Sequence, residues 1–239
     1  MISVNIVCDF DGTIAQEDVT DGLLDRFADA RWRKVEAQWL SGEFGSRECM
    51  ARQVELIEAT RADLHGYLDA VEIDPSFASF VDECDRLGNV RLEVSSDGID
   101  YAVRRILDRH GLSRLRVRAN ALIALSATKY RLGFPHYESN CRAQAGNCKC
   151  AAARTVSERL PSKSKAILIG DGVSDFCVAS KVDFVFAKSR LLAHCRNAGV
   201  AHRAFDGFRD IRCNLGPVLE DLAEPPEFES VSKETASDR

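Results

Sequence analysis

The sequence has no apolar stretch approaching the ~18 residues of a membrane-spanning helix, which excludes that class of protein. It has no basic excess either. There are 32 Lys and Arg against 37 Asp and Glu, a formal net charge of −5. A chain whose main task was to coat nucleic acid or an anionic membrane would usually be basic, so neither partner is expected. The start, MISVNIVCDF, lacks the basic residues and the apolar length of a signal peptide. The nine cysteines are odd in number and include no C-x2-C pair. With no signal peptide, that argues against a disulfide framework and for a reduced, cytoplasmic protein. No internal repeat is visible. What is present is an ordinary globular composition, 239 residues of which 45% are hydrophobic. That length suits one medium domain, or a core domain with a smaller one inserted.

Short apolar runs occupy residues 4–10 (VNIVCDF), 90–95 (VRLEVS), 166–170 (AILIG) and 184–187 (FVFA). They read as buried parallel strands. Helical stretches with clear punctuation lie between them. Asp74-Pro75 opens one as N-cap and first-turn proline, Phe77, Phe80, Val81 and Cys84 keep its face, and Gly88 closes it. Residues 100–110 form another, ending at Gly111. The alternation predicts an α/β protein with a Rossmann-like parallel sheet covered on both sides. Residues 16–73 are too long for one crossover and read as about four short helices. Ser46 is the expected N-cap of one, and Thr60 with Asp63 forms a capping box for another. Inserted after a strand's C-terminal end, this block should lie over the site that α/β sheets place there. The expected division is a core of residues 1–15 and 74–223, a helical cap of residues 16–73, and a flexible tail at 224–239. Residues 116–137 suit a β-hairpin or flap.

Four places carry chemistry. Asp9-Phe10-Asp11-Gly12-Thr13 stands where the first strand runs out. Alternation turns Asp9 and Asp11 to one side, and two carboxylates so close need a cation or proton to share. A nucleophile and a general acid/base around a metal would use this pair; a plain Asx turn at a strand end has the same residues. Gly170-Asp171-Gly172-Val173-Ser174-Asp175 follows another strand and offers hard oxygen ligands suited to Mg²⁺, or a capping aspartate in a Gly-rich turn. Ser95-Ser96-Asp97-Gly98 presents hydroxyls and backbone N–H groups before a helix, a phosphate cradle or ordinary turn chemistry. Lys149, expected at the start of a helix over 151–160, is by itself an ordinary surface lysine.

Together, in this order and spacing, these motifs resemble the haloacid dehalogenase superfamily over about residues 4–190. The position of the helical block is similar to the phosphoserine-phosphatase-type branch. SDGIDYAV, the Cys-Lys pair and Ala119-Asn120 resemble the MtnX-like 2-hydroxy-3-keto-5-methylthiopentenyl-1-phosphate phosphatases. The resemblance implies a phosphomonoesterase in which Asp9 attacks phosphorus and carries an aspartyl-phosphate. Asp11 would protonate the leaving alkoxide and then activate water. It implies Mg²⁺ at Asp9, Asp11 (through its backbone carbonyl), Asp171 and Asp175. Phosphate would be held by Ser96, by the N–H groups of Asp97 and Gly98, and by Lys149 steered by Asp175. Alignment on the following Gly-x-Asp favours Ser96, with Ser95 as the one-residue alternative. Asp97 stands where many members have glycine, which puts an extra carboxyl beside the phosphate.

The expected partner is a small phosphorylated metabolite; nothing in the sequence bears on oligomeric state. Transfer of the phosphoryl group to an acceptor, or phospholigand binding without catalysis, are the other readings. Binding alone has no use for Asp11. Glu17, Asp18, Arg47 and Arg52 lie in or near the cap as candidate substrate selectors, although solvated cap surface is the stronger expectation for any one of them. Cys141, Cys148 and Cys150 invite a zinc reading, but they lack a paired C-x2-C set and a clear fourth ligand, so buried thiols are expected.

Overall fold

A computed structural model describes residues 2–159 and 164–224. The expected tail at 224–239 lies, but for its first residue, outside the described residues. The elements follow in chain order. Strand β1 (Ser3–Cys8) leads to helices α1 (Val19–Phe27), α2 (Trp32–Leu40), α3 (Ser46–Val54), α4 (Arg61–Leu68) and α5 (Phe77–Leu87). Next come β2 (Val90–Ile99), α6 (Asp100–Arg109), β3 (Arg116–Ala124), β4 (Tyr130–Gly133) and α7 (Lys149–Arg159). The chain continues with β5 (Ser164–Gly170), α8 (Phe176–Ala179), β6 (Phe184–Ala187), α9 (Ser189–Ala198), β7 (His202–Ala204) and α10 (Phe208–Ala223). No described helix is long and apolar enough to cross a membrane.

The strands form one seven-stranded sheet in the order β4-β3-β2-β1-β5-β6-β7. All neighbours are parallel except β3 and β4. β1 is central because it is apolar on both faces. Val4, Ile6 and Cys8 enter the larger apolar cluster and Val7 the smaller one on the opposite face. On one side Phe77 of α5 and Phe208 of α10 pack edge to face, with ring centroids 4.7 Å apart. On the other, Ala152, Val178 and Leu191 of α7, α8 and α9 meet Leu168 and Val185. Fully burying one such side chain is worth about 1.5–3 kcal/mol, so the two faces together hold the sheet between its helix layers. With β1 flanked by β2 and β5, the C-terminal ends of three strands lie side by side.

Residues 16–73 hold four helices, as expected. The segment leaves and returns through adjacent backbone. Ala15 bridges Ile73, Gln16 N donates to Glu72 O at 3.1 Å, and Asp74 N donates to Ile14 O at 2.9 Å. The Thr60–Asp63 capping box is present.

Several local expectations change. β2 runs on through Ser95-Ser96-Asp97-Gly98 to Ile99, because β3 continues beside it after a register shift between Ser95 and Ile99. The presumed flap therefore begins as a parallel member of the main sheet, and only its distal part pairs with β4 as a hairpin. Ser46 is not the N-cap of α3; Gly45 is, and the Ser46 hydroxyl is used elsewhere. α5 opens at Ser76 rather than at Asp74, whose carboxylate accepts from Ser76 N at 2.8 Å. Gly88 closes it in the left-handed region, at φ 70°.

Candidate active site

Asp9 emerges from β1 with its backbone N–H on Ile169 O of β5 (2.9 Å), which ties the first motif to the strand carrying the last. Its Oδ1 accepts from Phe10 N (2.8 Å) and from Lys149 Nζ (2.8 Å). Gly12 turns the chain away at φ +67°; a Cβ there would stand 2.8 Å from Asp171 Oδ2, so only glycine admits this approach. Thr13 Oγ1 donates to Asp171 Oδ1 at 3.0 Å. Asp175 Oδ2 accepts from the N–H groups of Asp171 (3.2 Å) and Gly172 (3.3 Å), and its Oδ1 accepts from Lys149 Nζ at 2.7 Å. Carboxylate oxygens of Asp9, Asp171 and Asp175 lie within 4.8 Å of one another.

This is a buried charge cluster. Asp175 is fully buried, and Asp9 and Lys149 are nearly so. Burial, then the charge of Asp175, push the Asp9 carboxyl well above its usual range, against the pull of Lys149. Burial would draw the Lys149 ammonium down, but Asp175 and Asp9 outweigh it and hold it above its ordinary value. One lysine among three carboxylates leaves negative charge to spare. Hard oxygen donors so arranged suit Mg²⁺. The residues present therefore fit that ion.

Asp11 is set apart from the trio. Its Oδ1 accepts from Val19 N (2.9 Å) and its Oδ2 from Ser96 Oγ (2.9 Å), so its carboxylate does not join the expected metal ligands. Burial, then Asp18, raise it to about 7. Gly98 N donates to Ser96 Oγ at 2.8 Å. Ser95 Oγ instead accepts from Asn147 Nδ2 at 3.1 Å, so of the two serines only Ser96 faces Asp11. The Asp97 carboxylate accepts from the Ser46 hydroxyl of α3 and from Asn147 N (3.1 Å).

A family model for haloacid dehalogenase-like hydrolases matches residues 6–180. The chain belongs to this family. It is thus an enzyme of hydrolase type. It is 29% identical over 213 residues to a 2-hydroxy-3-keto-5-methylthiopentenyl-1-phosphate phosphatase of an Exiguobacterium species, covering 88% of this chain and 96% of that one. It is 30% identical to the Bifunctional enzyme MtnB/MtnX of Bacillus licheniformis, with 95% of this chain covered but only 52% of that longer protein. Among solved structures, a phospho-aspartyl intermediate analogue of phosphoserine phosphatase matches with a TM-score of 0.65 at 16% identity, over 88% of this chain and 98% of that one. Substrate-bound phosphoserine phosphatase gives 0.66 at 17%, over 88% and 97%. These structures bear on the fold alone.

In this hydrolase a cavity of about 370 Å³ opens over Asp9 and Asp11. From the inserted segment it is lined by Asp18, Asp21, Glu36, Trp39, Ser46 and Met50, among others. Three expected selectors do not line it. Glu17 accepts from Tyr67 Oη at 2.8 Å, because the residue that turns inward after the DFDGT loop is Asp18, the N-cap of α1. Arg47 lies over the Tyr137 ring, 4.0 Å from its centroid. Arg52 pairs with Glu48 one helical turn back and covers Phe44. The face of α3 toward the cavity is Ser46, Cys49 and Met50, which the 3.6-residue period places together.

Sequence reasoning missed Asn147. Its side-chain amide donates to Ser95 Oγ (3.1 Å), Ser96 O (2.9 Å) and Arg118 O (3.0 Å), two residues before Lys149. It also missed Asn120 as a support, whose Nδ2 donates to Asp97 O at 2.5 Å. Both carboxamides sit in chain with no periodic signal; Asn147 had only its place two residues before Lys149 to hint at a role, and Asn120 only the Ala119-Asn120 pair of the resemblance.

Proposed function

We propose that this hydrolase is a Mg²⁺-dependent phosphomonoesterase that cleaves a small phosphorylated metabolite through an aspartyl-phosphate on Asp9. The observation that carries the reading is the division of labour between two carboxyls of one turn. Asp9 belongs to the carboxylate trio beside Lys149, whereas Asp11 stands outside it with its carboxyl raised to about 7. Asp9 Oδ1 is engaged by Lys149 and Phe10 N, which leaves Oδ2 to attack phosphorus. Asp11, ready to hold or release a proton near neutral pH, donates one to the leaving alkoxide and takes one from the water that opens the acyl-phosphate. Ser96 Oγ and the N–H groups of Asp97 and Gly98 receive phosphoryl oxygens, and Lys149, held by Asp175, balances their charge. Asp9, Asp171, Asp175 and the Asp11 carbonyl would hold Mg²⁺, which when bound offsets the carboxylate charge so that a dianion can approach.

The segment 16–73 serves as a cap over this core, and its cavity wall reads the leaving group. Its relatives' names make the methylthiopentenyl phosphate of methionine salvage the first substrate to test, with phosphoserine-like compounds next. Trp39, Met50 and Cys49 offer the cavity apolar contact for such a thioether tail. Phosphate release from an aryl phosphate with Mg²⁺, followed by a panel of phosphorylated metabolites ranked by kcat/KM, tests the reading. Asp9→Asn should abolish turnover without unfolding. Hydrolysis by that variant within about tenfold of wild type would remove Asp9 as nucleophile.

A further inference from the structure

A second cavity, of about 380 Å³, lies away from the Asp9 trio and has cysteines on its wall from two parts of the chain. Cys141 belongs to the turn-rich stretch between β4 and α7, Cys148 immediately precedes α7, and Cys150 is in its first turn. The fourth is Cys177 on α8, which the sequence had not linked to them. All four are free, Cys148 is buried and the others are half-buried. Burial first, and then the neighbouring thiols of Cys141 and Cys150, push the Cys148 thiol up, and burial, Cys150 and Cys141 do the same to Cys177. Lys181 and Arg142 face Cys177 as the nearby positive charges.

The placement of the four is mechanically pointed. Lys149 sits between Cys148 and Cys150, and Asp175 lies two residues before Cys177. Residues 138–147 lack large apolar side chains that could bind this stretch to the core. Yet it must present Asn147 and Lys149 accurately to Ser95, Ser96 and Asp175. A cross-link between α7 and α8 at the four thiols would brace the buried Lys149–Asp175 pair from behind.

We propose that Cys141, Cys148, Cys150 and Cys177 form a structural site for a thiophilic divalent metal of the zinc class, separate from the oxygen-lined site at Asp9. Four thiolates and no open position suit a structural rather than a catalytic metal. On binding, each S–H gives its proton to solvent as a sulfur–metal bond forms, with no change in oxidation state. No three of the four sulfurs lie all within 4.8 Å of one another, as the carboxylate oxygens of the Asp9 trio do. Side-chain rotation about χ1 must close them to the sulfur–sulfur spacing of about 3.8 Å that tetrahedral bonds of about 2.3 Å require. Arg142 and Lys181 then face the excess negative charge of a four-thiolate centre.

The test uses the full chain, purified under reducing conditions without chelator, with metal content read by mass spectrometry. About one zinc per chain is expected. Anaerobic replacement by Co²⁺ should give thiolate-to-cobalt charge transfer and tetrahedral ligand-field bands. Cys177→Ser should lose at least about nine-tenths of the bound zinc and the cobalt spectrum, whereas Asp171→Ala should keep both. That last variant distinguishes this site from the proposed Mg²⁺ site, so the two readings can fail separately. Wild type that takes up neither zinc nor cobalt would overturn the inference, as would a native mass showing a Cys141–Cys148 disulfide. Full zinc retention by Cys177→Ser would overturn the four-thiol set. Should Cys177→Ser fail to fold, the wild-type cobalt titration still decides.

Discussion

Replacing Lys149 by Met would test whether the site is a pre-organised charge cluster. Methionine keeps much of the length and of the apolar stem, so the packing around this buried side chain is little disturbed. What disappears is the ammonium 2.8 Å from Asp9, 2.7 Å from Asp175 and 3.0 Å from Ser174 Oγ. Two buried carboxylates then face each other and Asp171 without a counter-charge. Removing one partner of a buried ion pair costs about 3–5 kcal/mol, a large share of a domain's total stability. The variant has two ways to lower that cost, and both are measurable. A proton can enter at Asp9, whose carboxyl burial and Asp175 already push upward. A carboxyl raised in the folded state adds stability that is complete below its unfolded value and is lost as pH rises through the folded one. The deficit should therefore be small near pH 5 and should widen toward pH 8. Mg²⁺ can also supply the missing charge, so saturating metal should narrow the gap between variant and wild type. Urea unfolding of both proteins across this pH range, in EDTA and in Mg²⁺, measures the effect. A methionine variant as stable as wild type at pH 8 in EDTA, or one whose deficit ignores both pH and metal, would refute the reasoning.

Three further outcomes are expected. Gly98→Ala should lower kcat/KM by about tenfold or more, because the new Cβ would stand 2.8 Å from Thr20 Oγ1, 2.9 Å from Asp11 Oδ2 and 3.0 Å from Ser96 Oγ; steady-state kinetics on an aryl phosphate decides. Asn147→Ala removes the donor that serves Ser95, Ser96 and Arg118, and should cost about 1–3 kcal/mol in chemical denaturation. Wild-type stability after Asn147→Ala would show that water replaces the amide. In metal-free protein the Asp11 carboxyl, raised by burial to about 7, should make stability fall as pH rises from about 4 to about 7. Asp11→Asn should flatten that slope, and an unchanged slope would place the effect elsewhere.

Much of the site could be read from residue order because each motif terminates a strand. Asp9 and Asp11 follow β1, Ser96 lies near the C-terminal end of β2, and Asp171 follows β5. The rule that α/β sheets act at their C-terminal edge then brings them together at one place. The selectors failed for the opposite reason. Glu17 and Asp18 are adjacent, as are Ser46 and Arg47, and one residue of helix rotates a side chain by about 100°. Which of each pair faces the cavity depends on how α1 and α3 pack, and that packing has no local sequence signal. The β-hairpin was recognised, but its parallel pairing with β2 is a long-range contact that composition and alternation do not encode.

The sequence by itself determined the sheet, its helical insertion and the carboxylates around which the site is built, since strand-end aspartates, turn glycines and apolar periods are local and near-obligatory. Only the tertiary structure decided which of two serines faces Asp11, and that Asp11 stands outside the trio. It also showed that Asn147 holds the start of α7 and that Cys177 of α8 joins three cysteines some thirty residues earlier. Each of these depends on the relative rotation and spacing of elements distant in sequence. Those are fixed by how side chains fill the space between layers rather than by any one segment's preference.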